Sequence, residues 1–299
     1  MSTIFRKNEE FNAAESGMAF SLAVLVPYLL TLIVFLLYTA FGGNTARALY
    51  RYLTAFAAQL SYLGVILFIF RQKRSWKPFR AGKFGVKYAV LALPICYGML
   101  FGLGYVNDLF VGLLEKAGLS CAPVEVPLGN PSRLVLSLLV FGLMPALFEE
   151  MLFRGAILRG TDFMKVWQAS LLNGLAFALF HQNPAQFVYP FLTGCVFALV
   201  ALRAGSALPA AIMHAVNNVT VVLVGYFAPE ASFGNVWIVV SALVCLAGAL
   251  AYLVFFDKKP VYAAEGLERE HPLAGKYFFY FAAAGAVICV VSWISALLG

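Results

Sequence analysis

Long unbroken apolar runs dominate the chain, and polar residues collect in short segments between them. A helix needs about 20 apolar residues to cross a bilayer. Runs of that order predict spans at about 18–42, 53–70, 86–106, 132–158, 167–182, 186–202, 207–227, 236–256 and 277–298. Lipid supplies no hydrogen-bond partners, so spanning segments must be helices or the strands of a closed barrel. These runs are too long and too continuous for barrel strands. The expected fold class is all-α, a polytopic transmembrane helix bundle of about eight to nine spans. The first, second, eighth and ninth runs read as bland, with no internal charge. No internal repeat, low-complexity tract or separate soluble domain interrupts the pattern.

Composition agrees. The chain is 62% hydrophobic and 12% charged, against roughly half and a quarter in soluble domains. The net charge of +7 does not point to nucleic acid, because the basic residues sit in loops between apolar runs. Residues 71–87 hold Arg71, Lys73, Arg74, Lys77, Arg80, Lys83 and Lys87 without an acid. Such a segment marks the cytoplasmic side. With nine spans, the N-terminus is then cytoplasmic and the C-terminus outside. Sixteen loop or terminal Lys/Arg fall inside and four outside (Arg47, Arg51, Lys116 and Arg133). The 107–131 segment becomes an outer loop, partly helical at its start. Residues 1–17 are polar, so no cleavable signal peptide is expected. The five cysteines are scattered, without metal-ligand spacing.

Of fourteen acidic residues, only Glu149 and Glu150 sit deep in an apolar run. A charge at mid-membrane costs at least ~2.5–3.5 kcal/mol and by default marks function. Spacing separates the two. Glu150 and Arg154 are four apart and share a helix face, so they read as a structural ion pair. Glu149 is turned about 100° from Glu150 and can face a different cavity as the working carboxylate. His181 ends the fifth run. His214 and Asn218 lie four apart on one face of the seventh, with Asn217 read as pointing elsewhere. This pair is either packing glue between helices or a set of donors for a developing oxyanion. His271, in a charged loop, reads as solvated. Counting ~1.5 Å per residue places Glu149 and His214 at similar depth but His181 farther from the inner face. The mismatch closes if the fifth helix tilts or starts outside the bilayer core.

Three segments together resemble the CPBP family (CAAX protease and bacteriocin-processing, "Abi"), which includes the type II CAAX prenyl proteases. Its pattern is EExxxR, FxxxH and HxxxN on three membrane helices. Here it reads Glu149-Glu150-Met151-Leu152-Phe153-Arg154, Phe177-Ala178-Leu179-Phe180-His181 and His214-Ala215-Val216-Asn217-Asn218. The resemblance covers about residues 130–227. It implies an intramembrane endopeptidase in which Glu149 is catalytic and His181 positions or activates water. It also implies that His214 and Asn218 stabilise the oxyanion, with Glu150 and Arg154 supporting. The chain then divides into a cytoplasmic N-terminal segment (1–17), N-terminal spans and loops (18–129), a catalytic core (130–227) and C-terminal spans (228–299).

The family has been described both as metalloproteases and as metal-free glutamate enzymes. Glu149, His181 and His214 could bind zinc with an open position, but no HExxH-like spacing occurs. No cofactor is the favoured expectation, with zinc as the alternative. The expected partners are membrane lipid and a peptide or lipidated-protein substrate, and the expected location is a bacterial plasma membrane. Two other functions use the same features. A proton-coupled transporter would employ buried Glu and His with Pro145 and Pro209 near them, and a non-catalytic membrane scaffold would keep the fold alone.

Overall fold

The computed structural model describes residues 11–79, 81–161, 164–231, 234–257 and 274–298. His271 lies outside the described residues. Nine helices run through them: α1 (Ala13–Ala40), α2 (Ala48–Lys73), α3 (Val86–Lys116), α4 (Pro131–Ile157), α5 (Val166–Phe180), α6 (Val188–Ala204), α7 (Leu208–Phe227), α8 (Val236–Phe256) and α9 (Ala274–Leu298). No strand occurs among the described residues. Eight segments are long and apolar enough to cross a membrane, whereas α5 is shorter. The protein is a helical polytopic membrane bundle.

The ends of the helices sort onto two faces. On one face, Gly160 N–H donates to Ser16 Oγ (3.0 Å), Ser206 Oγ to the Gly82 carbonyl (2.7 Å) and Tyr88 Oη to Asp257 (2.7 Å). On the other, Ser120 N–H meets the Leu297 carbonyl (2.9 Å) and Asn183 meets that of Ala122 (3.2 Å). There Tyr52 Oη also donates to the Pro127 carbonyl (2.6 Å). The α5 chain starts near the first face and ends near the second, so it crosses like the others. At ~1.5 Å per residue it is shorter than the ~30 Å hydrocarbon core. The turn after it spans residues 181–187. Asn107 covers that turn by donating to the Ala185 carbonyl (3.1 Å) and accepting from Tyr189 N–H (3.1 Å).

Three boundaries differ from the sequence expectation by five residues or more: the starts of α1 and α2, the latter at Ala48 rather than about 53, and the end of α3. The first helix starts at Ala13 rather than near 18. Asn12 and Glu15 form a reciprocal cap (2.9 and 3.1 Å). Lys73 at the end of α2 pairs with the Glu15 carboxylate at 2.6 Å, both buried. A polar start was read as solvent-facing, but it is polar because it caps and pairs. The third helix runs to Lys116 rather than about 106, since Asn107 and Asp108 do not break it.

Two features of α4 and its neighbours place the site. The α4 helix begins with Asn130 capping Arg133 N–H (2.9 Å) and Pro131 in its first turn. It then carries two π-helical turns, Leu138–Leu143 and Met151–Ile157, on either side of the Glu149–Glu150 pair. The second feature is the close approach of α5 and α6. A Cβ on Gly174 would stand 2.7 Å from the Phe191 carbonyl oxygen, and one on Gly194 2.9 Å from Gly174 Cα. Small residues of this kind let membrane helices touch along their backbones.

Candidate active site

Glu150 lies at the centre of the bundle with no solvent exposure, as does Arg154. One turn of helix separates them, and Arg154 Nη1 donates to Glu150 Oε1 at 3.0 Å. Arg154 Nη2 reaches the Gly194 carbonyl at 3.3 Å, which the glycine contact between α5 and α6 brings within range. The guanidinium carbon lies 4.3 Å from the Phe177 ring centroid and 5.3 Å from that of Phe197. Stacking of this sort suits arginine's weakly hydrated, planar charge. The same Glu150 Oε1 also meets His214 Nδ1 at 2.9 Å. One carboxylate thus ties α4 to α7, and its arginine partner ties α4 to α6.

With Nδ1 engaged, Nε2 is the ring nitrogen of His214 left for the adjoining chamber. His181 is fixed in a similar way. Its Nδ1 lies 2.7 Å from the Phe177 carbonyl. A carbonyl only accepts, so Nδ1 carries the proton and Nε2 keeps a lone pair. The ring stands edge-on to Phe177, with centroids 4.8 Å apart.

Asn218 is held from both sides. Pro145 has no N–H, so the Phe141 carbonyl four residues earlier loses its helical donor. Asn218 Nδ2 donates to that carbonyl at 3.3 Å. Asn217 Nδ2 donates to Asn218 Oδ1 at 3.1 Å, and Tyr189 Oη donates to Asn217 Oδ1. The chain Tyr189, Asn217, Asn218, Phe141 fixes which way each amide points, and one Asn218 N–H remains uncommitted. The expectation that Asn217 points elsewhere is corrected. At about 100° per residue, positions 217 and 218 fall on either side of His214, so both reach the same face.

These groups line one chamber of about 380 Å³. Glu149, His181, His214, Asn217 and Asn218 all contribute to its wall, and Glu149 is 7% exposed. Glu150 and Arg154 are not in the wall; they stand behind it. The sequence singled out four of the wall residues and missed Asn217, Tyr189 and Gln59. Gln59 comes from α2, where a polar amide within an apolar run was the available signal. It lines the same chamber as Glu149. The chamber reaches the second face of the bundle, where Val124 and Val126 of the loop between α3 and α4 line it. An adjoining surface pocket shares Ala55, Val124 and Phe141 with it and is bordered by the Arg51–Glu125 ion pair.

Among the described residues, no three His, Cys, Asp or Glu side chains are grouped so that they could hold one ion. Glu149, His181 and His214 share a chamber without forming such a group, and no step below is routed through a metal.

The fold and the chamber define a helical membrane protein whose buried polar groups are gathered in one cavity. Residues 131–220 match the family model described as type II CAAX prenyl endopeptidase, Rce1-like. No curated protein and no solved structure matches the chain. The matched segment contains all three motifs, so the family model supports the CPBP (CAAX-protease) resemblance that the motifs indicated.

Removing one partner of the central pair leaves the other as a buried, uncompensated charge, which typically costs about 3–5 kcal/mol. Arg154→Ala is expected to lower thermal stability in detergent by about that amount. Glu149→Gln, outside the pair, is expected to melt like the wild type. Both are read by thermal unfolding of the purified protein.

Proposed function

We propose that the protein is an intramembrane endopeptidase in which Glu149 activates water to cleave a peptide bond of a membrane-associated or peptide substrate, without a metal. The observation that carries this reading is the convergence of Glu149, His181, His214 and Asn218 from three helices on one chamber deep in an apolar bundle. Lipid-buried ionisable groups are retained where they act, and peptide hydrolysis needs these kinds of group: a base, a proton carrier and oxyanion donors.

Glu149 takes a proton from water, and the resulting hydroxide attacks the scissile carbonyl. The Nε2 lone pair of His181 shares that proton and passes it to the leaving amine. The tetrahedral oxyanion is met by the free N–H of Asn218 and by His214 Nε2–H when that ring carries both protons. Fixed donors of this type are each worth about 10²–10³ in rate. The Tyr189–Asn217 chain and the Glu150 carboxylate hold those donors in place before substrate arrives, so little reorganisation is needed during reaction.

The substrate is unidentified, so the test is a comparison of whole membranes. Peptide termini are catalogued by mass spectrometry in cells carrying the wild type or Glu149→Gln. A defined set of cleaved termini is expected only with the wild type. Identical catalogues, with both proteins folded and equally abundant, contradict the proposal.

The charge pattern of the loops supports a cytoplasmic N-terminus, in what we take to be a bacterial plasma membrane. The chamber mouth, beside Val124 and Glu125, then opens away from the cytoplasm. A cysteine replacing Glu125, which is well exposed, is expected to react with a membrane-impermeant maleimide in intact cells. Reaction only after permeabilisation reverses the orientation.

A further inference from the structure

The first face of the bundle carries a basic surface that the chamber does not use. The chain between α2 and α3 crosses it, and Arg71, Arg74 and Lys83 are exposed there. Lys165, exposed at the start of α5, lies on the same face. The acids described on this face are Glu15 and Asp257. Both are buried, and each is taken by a lysine, Lys73 at 2.6 Å and Lys87 at 2.9 Å. Among the described residues, no exposed acid answers the exposed cations. Two tryptophans share the face, Trp76 being 50% and Trp167 59% exposed.

Arg74 ends α2 in the left-handed conformation (φ 50°), and its N–H donates to the Phe70 carbonyl at 2.6 Å. Glycine adopts this conformation without strain and is its usual occupant. An arginine there accepts strain, which points to a use for its side chain. Two residues on, Trp76 stacks on Phe70 with centroids 4.3 Å apart and packs against Phe79 at 5.7 Å. Phe79 has no solvent exposure, and a Cβ on Gly155 would stand 2.7 Å from its Cα. Gly155 follows Arg154 in the π-helical turn Met151–Ile157. The exposed indole and the buried ring thus join the basic surface to the turn that carries Arg154.

We propose that this face docks on the headgroups of anionic phospholipid, and that lipid so bound holds residues 74–79 against the π-helical turn. Lys and Arg clustered beside a membrane span attract anionic headgroups. Indole rings settle at headgroup depth, which favours a lipid surface over a soluble anion or an acidic protein.

The test uses the full chain in nanodiscs of phosphatidylcholine, with or without phosphatidylglycerol. Phosphatidylglycerol is expected to shift the wild-type melting temperature upward, and by less in high salt, which screens exposed charges. The triple variant Arg71→Gln, Arg74→Gln, Lys83→Gln is expected to lose that shift. Arg74→Gly alone relieves the backbone strain, so it is expected to melt no lower than the wild type in phosphatidylcholine yet show a smaller shift. No wild-type shift, or a full shift in both variants, overturns the docking. Stabilisation by soluble poly-glutamate but not by phosphatidylglycerol overturns it in favour of an acidic protein. Amide hydrogen exchange over residues 74–79 is expected to slow when phosphatidylglycerol is present. Unchanged exchange there, alongside a melting shift, overturns the link to the π-helical turn.

Discussion

One carboxylate oxygen, Glu150 Oε1, receives both Arg154 and His214 in a region without solvent, and the geometry of the site follows from it. A lone charge there would be prohibitive. Paired, it becomes a joint between α4 and α7, and through Arg154 and the Gly194 carbonyl a joint to α6. Buried pairs of this type contribute little net stability compared with well-packed apolar residues. What this one supplies is position. It determines which ring nitrogen His214 offers to the chamber, and it keeps Glu150 behind the wall while its neighbour Glu149 forms part of it.

A second level of positioning comes from backbone irregularity. Pro145 frees the Phe141 carbonyl, which takes the Asn218 amide. The π-helical turn Met151–Ile157 contains the Phe153 carbonyl, which accepts from Asn173 at 2.9 Å and ties α5 to α4. Irregular helical turns of this kind are common at functional sites. Here each of these carbonyls is satisfied by an asparagine from a neighbouring helix, so the departures from regular geometry become helix-to-helix contacts in a medium without water to fill them.

Much of this was legible in the sequence because lipid makes polarity rare and therefore informative. Glu149, Glu150 and Arg154 stood out against their surroundings, and helical spacing alone separated the paired glutamate from the one at the chamber. The spans were legible for the same reason, apart from the starts of α1 and α2 and the length of α3. Less visible were groups whose polarity is milder. Gln59 carries no charge, and a search for charge passed over it. Asn217 was assigned to the wrong face because its neighbour at the four-residue spacing drew attention, although a three-residue spacing serves as well on a helix. The depth of His181 could not be read because it depends on the shortness of α5 and on Asn107, which holds the following turn from a distant helix.

The central claim is that Glu150 and Arg154 matter through the position they impose rather than through the charge they carry. The most direct measurement is a cycle of Glu150→Met, Arg154→Met and the double variant, following melting temperature and cleavage together. The single variants should unfold early. The double variant should regain most of the lost stability, since two apolar side chains replace a pair that was costly to bury, yet remain without cleavage because His214 has lost its anchor. Wild-type cleavage by the restored double variant would contradict the account.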